Sequence, residues 1–351
     1  MGGNALSVPT IRLSATQYGE LAEAISIRFP ARAAVIPSYR DKADFGDMDV
    51  LVAGGPGYDP ATWAAALAGD DLAPKEFVRN GDVTSFGLKQ PGGVFQVDLI
   101  KVPPESFDFA YRYFAMNDLG NLLGRVAHKA GFKLGHLGLL YTLREGQHGE
   151  HVIAELPVTR DWGEALSMLG YDAAAYERGL AGEFRYLEDI FQYVITSPFF
   201  HPDIYQLENR NNVSRTRDRK RPTYNAFLKW LDDDGRVTPS FSWSAKTEIR
   251  AQFLQEAKRL FPAFDAALIA ARQRHERDQS VRQKVNGRFI QELTGLEGKA
   301  LGQLIANLKS AHSTPADYAD WVLSASDAQI RLAVLELANS IEQAPRPRPK
   351  A

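Results

Sequence analysis

The sequence FGDMDVLV at residues 45–52 places two carboxylates in a pattern that is otherwise typical of a buried β-strand. Apolar and β-branched residues follow the acids, as expected for a strand that packs inside a sheet. Side chains two positions apart on a strand point to the same face, so Asp47 and Asp49 are predicted to lie side by side. Two like charges repel each other unless a cation lies between them, and Mg²⁺ binds oxygen ligands of this kind. A strand end with two solvated aspartates is the alternative interpretation.

A third acid stands in a similar setting further along the chain. Residues 83–89 and 94–102 are predicted to form two strands joined by a tight turn at 90–93. The second of these, VFQVDLIKV, contains Asp98 among apolar neighbours, where an ionised carboxylate is costly unless it is paired or binds a metal. If this strand lies beside the first, the three carboxylates converge and can hold two metal ions. The alternative for Asp98 is an edge-strand aspartate.

Composition limits the class of protein. The 351 residues suggest two or three domains, and 44% hydrophobic and 11% aromatic residues are globular values. A formal net charge of −2 gives no global attraction to nucleic acid, so any basic surface must be local. The absence of cysteine excludes disulfides and thiolate zinc sites and is compatible with a reducing compartment. We find no apolar segment typical of a signal peptide or a membrane span, so we expect a cytoplasmic protein without a membrane partner.

The predicted fold class is α+β, with a small mixed sheet followed by a largely helical carboxy-terminal region. Helical patterns dominate from about residue 107, apart from short strands near 137–143 and 152–156. The predicted divisions are a small sheet with an amino-terminal helix, a helical segment after it, a helical region with a basic loop, a carboxy-terminal helical domain and a disordered tail. Their respective ranges are 1–105, 106–145, 146–240, 241–342 and 343–351.

Two segments resemble the nucleotidyltransferase superfamily that includes DNA polymerase beta. PSYRDKADFGDMDVLV (37–52) is similar to its palm motif, in which a serine, an aromatic residue and arginine precede Gly-Asp-x-Asp. VDLIKVPPESFDFAYRYFAMNDLGN (97–121) is similar to the next stretch of the family X DNA polymerases, with the third aspartate, a proline-containing loop and a helix with Tyr-Phe. GFKLGHLGLL (131–140) continues the match. The resemblance covers about residues 33–141, and its two motifs follow each other in the family's order and spacing.

The resemblance implies a role for each matching residue. Asp47 and Asp49 would hold two Mg²⁺ ions, for which Mn²⁺ is the expected substitute, and Asp98 would bind the catalytic ion and serve the attacking hydroxyl. The implied nucleotide-binding residues are Ser38, Arg40 and Lys42 at the phosphates, Tyr113 and Phe114 at the sugar, and Asp118 and Asn121 near the base. The two aromatic residues could instead be ordinary core residues of a helix.

The chain also departs from the family pattern. Pro37 replaces a glycine, Asp41 replaces a second arginine, whose charge Lys42 could supply, and Gln96 replaces an arginine. Ala115-Met116-Asn117 stands where the family has Thr-Gly-Ser. Without that glycine we expect the backbone to relax towards helical geometry, with weak discrimination between ribose and deoxyribose. There is no room before residue 30 for the family's amino-terminal DNA-gripping domain, which argues against an ordinary repair polymerase.

Two features of the remaining sequence bear on the acceptor. The run NRNNVSRTRDRKRP (209–222) could grip phosphates or be a solvated loop. Its predicted nucleic-acid-binding residues are Arg215, Arg217, Arg219, Lys220 and Arg221. Residues 285–309, VNGRFIQELTGLEGKALGQLIANLK, show a weaker resemblance to the helical tail of CCA-adding tRNA nucleotidyltransferases. A helical hairpin capped by glycines is the alternative.

The leading prediction is a metal-dependent nucleotidyltransferase that moves a nucleoside monophosphate from an NTP or dNTP to a 3′-hydroxyl of nucleic acid and releases pyrophosphate. A terminal RNA-extending enzyme competes closely with a reduced family X-like DNA polymerase, so both RNA and DNA stay open as the acceptor. Transfer to a protein or a small molecule, and an inactive palm used as a scaffold, are the other hypotheses. The presence of all three carboxylates counts against the inactive palm.

Overall fold

The computed structural model describes residues 3–72, 76–146, 149–232 and 241–342. The chain separates into two compact units, Met1–Asp265 and Ala266–Ala351. Its strands are β1 (Leu13–Ser14), β2 (Ala33–Val35), β3 (Asp44–Phe45), β4 (Asp47–Ala53), β5 (Val78–Asn80), β6 (Val83–Gln90), β7 (Gly93–Val102), β8 (Phe132–Gly135), β9 (Gly138–Glu145) and β10 (His151–Thr159).

Helices make up most of the rest of the described chain. Those up to residue 194 are α1 (Ala15–Ser26), α2 (Pro60–Ala68), α3 (Phe107–Phe114), α4 (Leu119–Ala130), α5 (Trp162–Met168), α6 (Ala173–Arg178) and α7 (Leu187–Val194). Those after it are α8 (Asn212–Asp218), α9 (Pro222–Asp232), α10 (Lys246–Leu260), α11 (Pro262–Lys284), α12 (Gly287–Thr294), α13 (Gly298–Ser310), α14 (Pro315–Ser324) and α15 (Asp327–Glu342). The predicted α+β class, a mixed sheet with a helical carboxy-terminal region, is confirmed.

The central sheet has five strands in the order β2-β4-β7-β6-β5. β4 and β7 are parallel, and the other neighbours are antiparallel. The predicted hairpin is present as β6 and β7, with positive φ angles at Gly92 and Gly93 where the chain reverses. The sheet therefore brings the FGDMDVLV strand next to the strand of Asp98, as the sequence predicts.

Both faces of this sheet are covered, but by different elements. Met48, Val50 and Val52 point to the face on which α1 and α2 pack, in a core that includes Ile25 and Trp63. The predicted amino-terminal helix is α1, which is capped by Ser14, whose side chain and that of Gln17 form a capping box. Leu51, Ile100 and Val102 lie on the other face, with Phe107 and Ala110 of α3. Alternating side chains thus divide the sheet into an α1–α2 face and an α3 face.

The rest of the first unit is helical around a second, three-stranded sheet in the order β10-β9-β8. β9 and β10 are longer than the strands expected near 137–143 and 152–156, and β8 was not predicted. The basic run, which the sequence presents as a loop, forms α8 with Asn211 as its N-cap.

The second unit has a core of its own from α12 to α15, which includes Ile290, Leu304 and Val334. Gly295 ends α12 in the left-handed conformation at φ 71°, as a capping glycine does. Within the described residues, no helix is long and apolar enough to cross a membrane. The tail at 343–351, predicted to be disordered, lies outside the described residues.

Candidate active site

The sheet register places the three aspartates together. In the parallel pair of β4 and β7, Asp49 is directly opposite Asp98, and Asp47 is opposite Gln96. Paired residues of neighbouring strands share a face, and so do residues two apart on one strand. All three carboxylates therefore lie on the α3 face, next to the part that Leu51 and Ile100 bury under α3. The sequence prediction of an acidic cluster on one face agrees with this arrangement.

The carboxylates disturb one another electrostatically. Burial, followed by the charges of Asp98 and Asp47, raises the pKa of Asp49 to about 7. Burial also raises the pKa of Asp98, and the charge of Asp47 adds to this, while hydrogen bonds from Ser85 and Gln96 act in the opposite direction. Lys42 is the cation that partly compensates Asp49. The ionised forms of Asp49 and Asp98 are therefore destabilised in this site, mainly by burial and further by the neighbouring carboxylates, and a bound cation would stabilise them.

The carboxylate oxygens also have hydrogen-bond partners. The Gly3 N–H donates to Oδ2 of Asp47 at 3.1 Å, and Nε2 of Gln96 donates to Oδ1 and Oδ2 of Asp98 at 2.9 and 3.1 Å. Within the described residues, no group of three or more His, Cys, Asp or Glu side chains stands in a ready-made metal-ligand geometry. The donor set is nonetheless one that fits Mg²⁺ or Mn²⁺, because it consists of carboxylate oxygens from adjacent positions of two paired strands.

A cavity of about 440 Å³ opens beside the acids. Asp47 and Asp49 line it, together with two cationic side chains, Arg12 and Lys42. Burial lowers the pKa of Lys42, but the charges of Asp47 and Asp49 act against this effect. The other residues that line the cavity are Tyr18, Ile36, Pro37, Ser38, Phe45, Gly46, Phe114, Asn117, Asp118, Pro222 and Thr223. Ser38, Lys42, Phe114 and Asp118 were predicted from the sequence to be nucleotide-binding residues, and they share this cavity.

Arg40 has a different position. Its side chain is exposed and does not line the cavity. Its backbone N–H donates to the carbonyl of Phe184 at 2.8 Å, and the next N–H, that of Asp41, donates to the carbonyl of Arg185. The structure therefore separates Arg40 from the serine with which the sequence motif groups it.

The segment after the aromatic pair is not helical, so the prediction that it relaxes towards helical geometry is wrong. Met116 and Asn117 both have a φ of 59°, in the left-handed region that glycine tolerates best. Tertiary contacts hold the turn: the Met116 N–H donates to the carbonyl of Pro37 at 2.9 Å, and Ser38 Oγ donates to Oδ1 of Asn117 at 2.7 Å. Met116 is also buried. These contacts override the backbone preference of the two residues.

The aromatic pair lies where α3 ends. The rings of Tyr113 and Phe114 meet edge to face at 5.3 Å, and Phe114 also stacks on His136. Gly120 of α4 permits the close approach of Tyr113, because a Cβ there would lie 2.2 Å from the Tyr113 carbonyl oxygen. Phe114 lines the cavity and Tyr113 does not. The sequence predicted both rings to lie at the sugar, whereas the structure has only Phe114 in the wall of the cavity.

Asp118 and Asn121, which were predicted to lie near the base, form one network with the basic run. Arg221 donates to Oδ1 of Asp118, and Nη2 of Arg217 contacts Oδ1 of Asn121 at 3.5 Å. Asp218, which is fully buried, pairs with the buried Arg210 at 2.5 Å and with Arg217 at 3.2 Å. The amino-terminal part of α4 is therefore joined to α8 and to the residues just before α9.

The five residues predicted to bind nucleic acid differ in exposure and in their contacts within this network. Arg215 points inwards, where its Nη2 donates to the carbonyl of Arg210. Arg221 is at the cavity through Asp118. Arg217 is half exposed, and Arg219 and Lys220 are exposed. Only these last three present charge to the outside, and they do so close to the cavity.

Two residues that contribute to the site, Gly3 and Gln96, were not predicted from the sequence. Gly3 reaches Asp47 from 44 residues away, and no local pattern reveals such a contact. Gln96 was noted only as the replacement of a family arginine, although its place two residues before Asp98, on the same face of the strand, was the available signal.

Comparison with known proteins adds no assignment. No protein-family model matches the chain, and no curated protein matches it significantly. The resemblance to nucleotidyltransferases therefore rests on the residues quoted above and on their placement in this fold.

Proposed function

We propose that the chain is a metal-dependent nucleotidyltransferase that transfers a nucleoside monophosphate from an NTP or dNTP to a 3′-hydroxyl of nucleic acid. The observation that carries this proposal is the pairing of Asp49 with Asp98 on adjacent parallel strands, with Asp47 on the same face. Apolar residues would pack better at these positions, and Leu51 and Ile100 do pack in this way further along the same two strands. Three adjacent acids on one sheet face repel one another, and this destabilises the fold. Their presence beside a cavity therefore indicates a functional role.

The residues of the cavity, together with Asp98 next to Asp49, suit a nucleoside triphosphate. Asp47, Asp49 and Asp98 would hold Mg²⁺, and bound Mg²⁺ supplies charge neutralisation at the phosphates and activation of the attacking hydroxyl. Ser38 and Lys42 offer a hydroxyl donor and a cation to phosphate oxygens. The attacking 3′-oxygen forms a bond to the α-phosphorus, the bond to the pyrophosphate oxygen breaks, and the proton of the hydroxyl passes to solvent or to a carboxylate.

Nucleic acid is the acceptor that the surface near the cavity favours. Arg217, Arg219 and Lys220 are accessible next to Arg221, whose partner Asp118 lines the cavity. A cluster of accessible cations beside a phosphoryl-transfer site is suited to the phosphates of a polymer more than to a small neutral acceptor.

The proposal is tested by incubating purified full-length chain with Mg²⁺, each labelled nucleotide, and a panel of RNA and DNA primers with and without template. We expect extension of at least one primer, and its loss in Asp49→Asn. Labelling of the chain itself or of an added protein, with no primer extended, would contradict the nucleic-acid acceptor. Absence of any pyrophosphate release with all acceptors would contradict the transferase.

A further inference from the structure

The amino-terminal arm, residues 3–12, reaches the carboxylate site through its backbone. The Gly3 N–H donates to Asp47, and the Ala5 N–H donates to Oε1 of Gln96 at 2.9 Å. The partners are 44 and 91 residues apart in sequence, so neither contact is a by-product of local chain geometry. The arm thus meets the acidic face at two points.

Gln96 connects the arm to Asp98. Its Oε1 accepts from the arm, while its Nε2 donates to both carboxylate oxygens of Asp98. Gln96 is only 2% exposed, so water does not compete for these bonds. The two carboxylate oxygens have about four lone pairs between them. The bonds from Gln96 and Ser85 occupy at most three of these, so capacity remains for a metal ion or a hydroxyl. The amide of Gln96 therefore sets the plane of the carboxylate without using up its capacity.

The arm fits its position closely. Gly3 is buried at a φ of 84°, and a Cβ there would lie 2.3 Å from the carbonyl oxygen of Gly46. Thr10 Oγ1 donates to the carbonyl of Gly3. The Ile11 N–H donates to the carbonyl of Val94 at 2.8 Å, so the arm lies beside β7 just before the point where β4 begins to pair with it.

We infer that the arm orients the carboxylates of the site for a metal ion. Gln96, held by the Ala5 amide, is the positioning residue for Asp98, and the Gly3 amide holds Asp47. The inference rests on the proposed function, because it takes the ligand of these carboxylates to be a divalent cation. Docking of the arm orients the two acids, and a cation bound between the acids stabilises the docked arm in return. The two equilibria are linked and must affect each other by the same factor.

The first test measures Mn²⁺ binding to the full chain without nucleotide, by electron paramagnetic resonance. Gly3→Ala prevents docking of the arm, and Gln96→Ala removes its connection to Asp98. Ser7→Ala is the matched control. The described hydrogen bonds of Ser7 go to Glu76, which is not one of the site carboxylates. We expect the two site variants to bind Mn²⁺ about 10- to 100-fold more weakly, as for partners of metal ligands in general, and the control to stay within about twofold.

Wild-type affinity in both Gly3→Ala and Gln96→Ala would overturn the inference. Asp49→Asn separates this from failure of the proposed function. If Asp49→Asn binds Mn²⁺ as wild type does, the carboxylates are not a metal site, and both the proposed function and the inference fall. If Asp49→Asn loses binding and the arm variants do not, the inference alone falls.

A second measurement does not depend on a variant that could misfold. Hydrogen exchange of the peptide containing residues 3–5 is followed with and without saturating Mg²⁺. We expect Mg²⁺ to slow this exchange at least about fivefold in the wild type and to leave it unchanged in Asp49→Asn, by the reciprocity of linked equilibria. Equal exchange rates in the wild type with and without Mg²⁺ would overturn the inference.

Discussion

At the scale of single residues, the raised pKa of Asp49 makes a pH-dependent prediction. A carboxylate whose folded pKa is about 7 retains its proton more strongly in the native than in the unfolded chain. Ionisation of Asp49 therefore destabilises the metal-free protein as the pH rises from about 4 to about 7, and this contribution does not recover above that. Asp49→Asn removes this loss, so we expect its melting temperature to exceed that of wild type by on the order of 5 °C at pH 8 and by much less at pH 5.

Thermal unfolding at both pH values, with and without Mg²⁺, checks this prediction. Mg²⁺ should raise the melting temperature of the wild type at pH 8 and leave Asp49→Asn unchanged, which closes the gap between them. A variant less stable than wild type at pH 8 without metal would show that Asp49 is not under electrostatic strain.

A second residue-scale prediction concerns the left-handed turn. Asn117→Ala and Asn117→Gly both lose the bond from Ser38, so their difference isolates the backbone at φ 59°. We expect the glycine variant to be about 1 kcal/mol more stable than the alanine variant, since glycine carries no Cβ penalty in this region. Urea unfolding measures the difference, and equal stability would mean that residue 117 is not held in the left-handed conformation in solution.

We expect Arg221 to contribute to binding of the nucleotide rather than of the nucleic-acid primer. Arg221→Ala leaves Asp118 without its partner on the wall of the cavity, where it would repel a triphosphate. We expect the KM for the nucleotide to rise about tenfold and to recover in part in the double variant Arg221→Ala/Asp118→Asn. A double-mutant cycle with additive effects would contradict a direct interaction between the two residues.

At the scale of elements, the sequence predicted those features of the fold that depend on neighbouring residues, and it did not predict those that depend on distant contacts. The period of two in FGDMDVLV predicted that Asp47 and Asp49 share a sheet face, and the turn at 90–93 predicted the β6–β7 hairpin. The parallel pairing of β4 with β7, which brings Asp98 to the same face, was only a condition at the level of sequence, because no local pattern fixes which strands become neighbours. The left-handed Met116 and Asn117 were not predictable, because bonds to Pro37 and Ser38 impose the turn from across the fold. The charged run at 209–222 was predicted to be a loop that either grips phosphates or is solvated, whereas the structure has α8 there. Arg210, which precedes α8, and Arg217 of α8 pair with the buried Asp218. A count of charges along the sequence does not reveal this buried pairing.

The same element carries a prediction about the acceptor. The exposed Arg219 and Lys220 follow the end of α8, whereas Arg215 and Arg221 have internal roles. We expect Arg219→Ala/Lys220→Ala to weaken primer binding and to reduce the slope of log affinity against log salt by about 1.5, with an unchanged KM for the nucleotide. The exposed pair Arg79→Ala/Lys89→Ala in the β5–β6 region is the control. An equal loss of slope in the control would mean that the α8 charges act only through net charge.

At the scale of the whole molecule, the described contacts of the candidate site come from the first unit alone. The acids, the cavity, the arm and the α8 network all lie before residue 266, and the second unit has a separate core. A chain ending after Lys284 keeps α11 whole and omits α12 to α15. We expect it to fold cooperatively and to bind Mn²⁺ within about twofold of the full chain, because no ligand carboxylate is removed. Mn²⁺ titration and circular dichroism on melting check this. A truncated chain that stays folded but loses Mn²⁺ binding would show that residues 285–342 contribute to the site, and the carboxylates of the first unit would then be an incomplete description of it.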